Sequence, residues 1–116
     1  MENKSLKEVS DAFSKGEFTS VYEYFDDHIK WNIVGSPPII SKVSVTAHCN
    51  KMLSEIASST MNNTNYIVSD NTVVVQGYCS YTNQDNTPGR VEYCDIFRFN
   101  NTKLQEITSY IIEVVL

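Results

Sequence analysis

Apolar residues recur at helical spacing in the first part of the chain. The capping-box sequence Ser5-x-x-Glu8 precedes one such face, and Lys15-Gly16 predicts its end. That face holds Leu6, Val9 and Phe13. The pattern therefore predicts a first helix between these two signals.

Two further helical patterns follow. A second, short helix is predicted by a face that holds Phe18, Val21, Tyr22 and Phe25. A third helix is predicted from Ser41, a suitable N-cap, to about Ser58. Its apolar face holds Val45, Cys49, Met52 and Ile56. We therefore expect three helices in the first half of the chain.

Alternating apolar and polar residues predict strands elsewhere. One short strand is expected at 29–34, and Gly35-Ser36-Pro37-Pro38 ends it. Further strands are expected at 66–68, 72–82, 91–99 and 104–116, separated by the polar turns 69–71, 83–89 and 100–102. Helices followed by antiparallel strands predict an α+β fold in one domain of residues 1–116, with the helices on one face of a sheet.

Two of these strands, 72–82 and 104–116, carry apolar residues on both faces. A sheet that is covered on one side normally alternates apolar with polar residues. We therefore expect a second copy of the chain to cover the open face, in a homodimer formed through the sheet.

Composition narrows the class of protein. The 116 residues are 41% hydrophobic, which argues against a disordered chain. The net charge of −5 argues against binding to nucleic acid. No apolar run approaches the roughly 20 residues of a membrane span, and the first residues resemble no signal peptide. The three cysteines show no Cys-x-x-Cys spacing. We expect a cytoplasmic protein in a reducing compartment, away from membranes.

Asp95 is the most informative polar position. Period-2 alternation places it on one strand face with Val91, Tyr93, Phe97 and Phe99. Burial in such a row would raise the pKa of the carboxyl, as expected of a functional acid. The alternative is a structural aspartate bonded to a neighbouring tyrosine or to a backbone amide.

The two histidines predict neither a metal site nor an activated nucleophile. Neither His28 nor His48 has a second ligand at helical or turn spacing, so we expect no metal and no cofactor. Cys49 follows His48 directly and therefore points about 100° away around the helix, which is poor geometry for activating a thiol.

Three segments, in this order, resemble the nuclear transport factor 2-like superfamily, whose members are also called SnoaL-like or cystatin-like. They are Tyr24-Phe25-Asp26-Asp27 leading through Trp31 to Gly35, the run 93–100, and Ile107-Thr108-Ser109-Tyr110. The resemblance implies a cone-shaped roll, with three N-terminal helices packed on a strongly curved, mainly antiparallel sheet around a cavity. Members include isomerases, polyketide cyclases, epoxide hydrolases and binding modules without chemistry, so the fold alone does not settle the function.

Residues 26–38 are similar to a ketosteroid isomerase motif without a gap. That resemblance places Asn32 at the catalytic base, Val9 at the oxyanion-hole tyrosine and Asp95 at the oxyanion-hole acid. A carboxamide cannot act as a general base near neutral pH, so we expect no isomerase of that mechanism. The Asp-Arg-Asp relay of an epoxide hydrolase is not predicted either, because Arg98 faces the other side of its strand from Asp95 and is expected to pair with a carboxylate there.

The predicted site combines Asp95 as the catalytic acid with Asn32, Trp31, Tyr93 and Phe97 as ligand-binding residues. The resemblance turns Asn32 towards the cavity, whereas the apolar alternation of its strand turns Trp31 inward, and both interpretations stay open. Our hypothesis is a protein that binds a small apolar or aromatic molecule, with isomerase-like proton transfer assisted by Asp95 as its possible chemistry. The alternative is a non-catalytic dimerisation or partner-binding module whose own side chains fill the cavity.

Overall fold

A computed structural model describes residues 4–55 and 59–116. The first predicted helix is confirmed as α1 (Leu6–Ser14). Its capping box is complete, because the Ser5 hydroxyl accepts the Glu8 backbone N–H and the Glu8 carboxylate accepts the Ser5 backbone N–H. The apolar side chains that this helix buries are Val9, Ala12 and Phe13.

The prediction of a second α-helix is wrong. Phe18–Ser20 and Tyr22–Tyr24 form two single 3-10 turns, and the chain then enters β1 (Phe25–Ile33), which begins before the predicted strand. These two turns make up most of the segment between Gly16 and β1, so its apolar residues reach the core from tight turns instead of a helix face.

The third predicted helix is confirmed as α2 (Lys42–Glu55), which makes two α-helices, not three, among the described residues. The Ser41 hydroxyl caps it by accepting a backbone N–H at 3.2 Å. Its fully buried side chains are Val45 and Cys49. Ile56 and Ser58, which the predicted helix included, lie outside the described residues.

The remaining strands are β2 (Ile39–Ile40), β3 (Thr60–Ser69), β4 (Thr72–Thr82), β5 (Pro88–Asn100) and β6 (Lys103–Glu113). All six strands form one sheet in the order β2-β1-β6-β5-β4-β3. Neighbours are antiparallel except β1 and β6, which are parallel. The predicted α+β architecture with a mainly antiparallel sheet is therefore confirmed.

Two strand details differ from the usual patterns. β3 starts at Thr60, before the predicted position 66, because pairing with β4 holds a polar stretch of low strand propensity in the sheet. The register shifts between Asn63 and Asn65, as at a β-bulge. In the β5–β6 hairpin, Asn101 takes a φ of 56°, the left-handed conformation that glycine usually supplies there.

The two faces of the sheet differ in what covers them. The inner face packs against both helices and carries the fully buried Val75, Phe97 and Ile107. On the outer face Arg98 pairs with Glu106 at 3.2 Å, as predicted. No helix in the described part of the chain is long and apolar enough to cross a membrane.

Candidate functional site

A cavity of about 180 Å³ lies between the two helices and the inner face of the sheet. Much of its wall is aromatic or sulfur-bearing, from Phe13, Phe18, Trp31, Met52, Met61 and Cys79. Its polar groups include the side chains of Ser14, Asp95 and Ser109. The cavity is therefore an apolar chamber with a small number of hydrogen-bonding groups, the usual composition of a small-molecule site.

Asp95 is the centre of these polar groups. The Ser14 hydroxyl donates a hydrogen bond to Asp95 Oδ2 at 2.7 Å, and the Ser109 hydroxyl is bonded to the same carboxyl. Ser109 Oγ in turn accepts a hydrogen bond from Trp31 Nε1 at 2.9 Å. We call these four residues the Asp95 cluster. α1, β1 and β6 each supply one side chain to it, and together they fix the carboxyl that β5 carries.

The Asp95 carboxyl is buried without a compensating cation. Its residue is 7% exposed, and burial raises the pKa of the carboxyl, while hydrogen bonds from Ser109 and Ser14 lower it in part. Among the described residues, no lysine, arginine or histidine contributes to this balance. The carboxyl therefore holds its proton to a higher pH than an exposed aspartate. It can donate a hydrogen bond when protonated and accept one when ionised.

Tyr93 forms part of the cavity wall, but its hydroxyl is bonded elsewhere. The hydroxyl donates a hydrogen bond to Asn63 Oδ1 on β3. Gly77 pairs with Tyr93 across the sheet, and a Cβ at Gly77 would lie 2.5 Å from the Tyr93 hydroxyl oxygen. The glycine thus leaves room for the tyrosine to reach over β4 to β3. Burial raises the pKa of the Tyr93 hydroxyl, so this part of the cavity wall carries no charge near neutral pH.

A second polar cluster joins α1 to β3 near the surface. This Asp11 cluster consists of Asp11, Lys15, Asn63 and Tyr66. Asn63 Nδ2 and the Tyr66 hydroxyl donate hydrogen bonds to Asp11 Oδ1, and Lys15 Nζ lies 3.0 Å from Asp11 Oδ2. Burial raises the pKa of Asp11, but these donors outweigh it and bring the pKa below its usual range. Through Asn63 the cluster also holds Tyr93.

The structure brings some of the predicted site residues together and separates others. Those that line the cavity are Asp95, Trp31 and Tyr93. Phe97 is fully buried in the core and is not part of the lining. Asn32 lies half-buried on the outer side of β1, outside this cavity, which corrects the inward position implied by the resemblance. The reason is the alternation of β1, which turns Trp31 to the core and its neighbour away.

Ser14 and Ser109 are site residues that sequence reasoning missed. Ser109 had a usable signal, because it alternates with Ile107 and Ile111 on the inner face of β6. Ser14 had none, because a serine at the end of a helix is a common surface residue. Val9, at the position that the resemblance gives to a tyrosine, is fully buried and supplies no polar group.

The remaining candidate nucleophile and ligand residues form no second site. His48 packs edge-on against Trp31, with ring centroids 5.4 Å apart. Burial raises the pKa of the Cys49 thiol to about 12, so this thiol is a poor nucleophile. In residues 4–55 and 59–116, no three His, Cys, Asp or Glu side chains come together as a metal site would require.

Comparisons with known proteins agree with this architecture. The chain matches the SnoaL-like domain family over residues 6–107. An NTF2-like protein of unknown function from Cytophaga hutchinsonii is 40% identical, and the match covers 90% of this chain and 93% of that chain with a TM-score of 0.87. No curated protein sequence matches the chain.

Two more distant structures share the fold alone. A proposed SnoaL-like polyketide cyclase from Jannaschia sp. is 11% identical, with a TM-score of 0.79 over 96% of this chain and 91% of that chain. The epoxide hydrolase/cyclase-like enzyme SalBIII, which functions in pyran ring formation in salinomycin, is 15% identical, with a TM-score of 0.73 over 91% and 89%. Since the family match spans residues 6–107 and the 40% identical relative aligns nearly throughout, this chain belongs to the SnoaL-like family of the nuclear transport factor 2-like superfamily.

Proposed function

We propose that this protein binds a small, largely apolar ligand in its cavity, with Asp95 in contact with the polar atom of the ligand. The supporting observation is a buried carboxyl, without a cation, in the wall of an otherwise apolar chamber. Burying such a group costs free energy that core packing alone does not recover, and such groups are concentrated at functional sites. In this proposal the cavity is the interior of the cone that the family resemblance implies.

Proton transfer is the chemistry that the lining residues support best. Asp95 is the one carboxyl among the residues that line the described cavity, and Asn32, at the position of the isomerase base, lies outside it. Burial raises the pKa of both Cys79 and Tyr93, so neither supplies a base near neutral pH. We therefore propose ligand binding as the main function, with any isomerase-like step carried by Asp95 alone, as both donor and acceptor of the proton.

The single tryptophan of the chain makes the binding proposal testable. Trp31 lines the cavity, and its indole N–H gives one signal in a nitrogen–proton correlation spectrum that depends on the bond to Ser109. We expect a saturable shift of this signal on titration with at least one of phenol, 2-naphthol and estradiol. If none of the three shifts it saturably, the proposal is wrong.

A matched pair of cysteine variants controls for effects outside the cavity. Cys79→Leu places extra methylene groups in the cavity, whereas Cys94→Leu makes the same change on the outer face of β5. We expect the first variant to abolish the ligand-induced shift and the second to retain it. Equal loss in both would indicate that the shift does not report on the cavity.

The proton-transfer step needs an assay of its own. A β,γ-unsaturated cyclohexenone becomes conjugated when a proton is removed from one carbon and returned to another. Turnover that is present in the wild type and lost in Asp95→Asn would support the step. Wild-type protein without turnover would leave binding as the function.

A second candidate function, a dimerisation module, is favoured by the outer face of the sheet. Tyr110 and Ile112 are 45% and 67% exposed on that face, which neither helix covers. We propose that a second copy packs there, by two-fold symmetry. Light scattering should give twice the chain mass, and Ile112→Glu should give a monomer, while Val43→Glu on α2 should not. Wild-type monomer at high concentration would overturn this proposal.

We also propose a reducing, cytoplasmic setting for the protein. All three cysteines are free, and Cys49 and Cys79 are buried, so a role in disulfides is not supported. Fractionation of cells that produce the protein is the corresponding test, and recovery in an extracellular fraction would contradict it.

A further inference from the structure

The volume of the cavity matches a ligand of one ring. The cavity measures about 180 Å³. An engineered protein cavity of about 150 Å³ holds benzene, whereas pockets for drug-sized ligands begin at about 300 Å³. The volume that remains beside a benzene ring is about the volume that one water molecule occupies in the liquid. It accommodates a substituent of one or two atoms. A second fused ring would extend beyond this volume.

The walls of the cavity favour an aromatic ring over an aliphatic one. Phe13 and Trp31 already meet in a T-shaped contact, with ring centroids 5.0 Å apart, and both line the cavity. Aromatic pairs in such arrangements gain energy beyond their buried area. The thioethers of Met52 and Met61 add polarisable sulfur atoms, which make favourable contacts with ring edges.

The hydrogen bonds within the protein leave Asp95 as the group that a ligand can engage. Four side-chain donors of the lining are already used, by Ser14 and Ser109 towards Asp95, by Trp31 towards Ser109 and by Tyr93 towards Asn63. The Asp95 carboxyl keeps spare lone pairs when ionised and a proton to donate when protonated. When Asp95 is ionised, a second anion beside it would be repelled, because no cation in the lining of the described cavity offsets the charge.

From the volume, the walls and the bonding of Asp95 we infer that the ligand is a single aromatic ring with one small, uncharged oxygen substituent, and that this oxygen contacts Asp95. Phenol and benzaldehyde represent the two forms of this chemistry, a hydroxyl that donates to the carboxylate and a carbonyl that accepts from the carboxylic acid. The inference rests on the proposed function, because it names the ligand class of the same cavity.

The first test varies the number of rings. We expect phenol to shift the Trp31 indole signal with an affinity at least about tenfold higher than 2-naphthol or estradiol, although hydrophobic transfer alone would rank them in the opposite order. Tighter binding of either larger compound would overturn the size inference and leave the proposed function standing. If none of the three binds, it is the proposed function that fails.

Enlarging the cavity should change this preference. Met61→Ala removes side-chain volume from the wall, so we expect the affinity for 2-naphthol to rise by about tenfold relative to phenol. Val74→Ala makes a comparable truncation on the outer face of β4 and should leave the ratio unchanged. A ratio that moves equally in both variants, or in neither, would contradict the size inference.

The second test concerns the oxygen. Above the raised pKa of Asp95, we expect benzoate, which has the same ring and a negative charge, not to compete with phenol. As pH rises from the ordinary aspartate pKa through the raised pKa of Asp95, the affinity for phenol should rise, or that for benzaldehyde should fall, because Asp95 loses its proton. Either trend supports contact with Asp95. Affinities for both probes that stay constant with pH would overturn it.

Other titratable groups near Asp95 could also produce a pH trend, and they are excluded by their raised pKa values or by substitution. β4 and β5 contribute Cys79 and Tyr93, whose raised pKa values keep them neutral in this range. The more distant Asp11 cluster joins α1 to β3. α2 contributes His48, whose ring packs against Trp31. Asp95→Asn should abolish the pH trend and His48→Gln should preserve it. The reverse result would assign the trend to the imidazole.

Discussion

The carboxyls of Asp95 and Asp11 show how differently one side-chain chemistry is treated in two regions of this domain. α1 takes part in both regions, through Ser14 inside and through Asp11 itself near the surface. Asp11 keeps contact with water and receives a lysine as well as two neutral donors, so its pKa falls. Asp95 is largely shielded from water and receives two hydroxyls and no cation, so its pKa rises. The first arrangement lowers the pKa of a carboxyl near the surface, whereas the second leaves a carboxyl of raised pKa in the wall of the cavity.

The largest expected difference between the regions is in stability. Ser109→Ala leaves the buried Trp31 indole N–H without its partner, which costs about 1–3 kcal/mol in free energy of unfolding, and it leaves Asp95 with the Ser14 hydroxyl alone. Tyr66→Phe removes one bond at the surface and should cost about 1 kcal/mol or less. Urea unfolding followed by Trp31 fluorescence measures both. Ser80→Ala, on the exposed side of β4, should stay within about 0.5 kcal/mol of wild type. Equal costs at Ser109 and Tyr66 would remove the contrast.

A pH series tests the interior carboxyl. Because the folded-state pKa of Asp95 is raised, the native state binds its proton more tightly than the unfolded chain does. The stability that this provides is complete below the ordinary aspartate pKa and is lost as pH rises through the raised value. We expect Asp95→Asn to gain stability relative to wild type as pH increases over that interval. A difference between the two proteins that is constant with pH would contradict the raised pKa.

The opposite sign is expected at the surface, with a smaller effect. The lowered pKa of Asp11 contributes stability above the ordinary aspartate pKa, and this contribution is lost as pH falls through the lowered value. Asp11→Asn should therefore cost about 1 kcal/mol near neutral pH, and the cost should shrink in acid. Thermal unfolding at several pH values measures it. A cost that grows in acid would reverse the interpretation of the Asp11 cluster.

Features that depend on periodicity could be predicted from the sequence. Alternation along β5 correctly placed Asp95 and Tyr93 on one buried face, and the same rule applied to β1 favoured Trp31 over Asn32. The resemblance suggested the opposite for Asn32, because an alignment carries residue positions but not the side of the strand they face in this chain.

Features that depend on tertiary contacts could not be predicted. Short segments such as Phe18–Ser20 and Tyr22–Tyr24 do not distinguish a helix from tight turns, because too few residues define a period. Ser14 became a site residue only because the packing of α1 on the sheet brings it within 2.7 Å of a carboxyl far away in sequence. A single sequence has no pattern for such a contact.

Gly77 controls the position of one wall of the cavity. An added methyl group there would lie 2.2 Å from the Asn62 carbonyl oxygen and 2.5 Å from the Tyr93 hydroxyl oxygen, although Gly77 itself does not line the cavity. Any larger residue must therefore displace Tyr93, a wall of the chamber, or distort β3. One substitution on β4 can thus change the shape of the cavity while every residue of the Asp95 cluster stays the same.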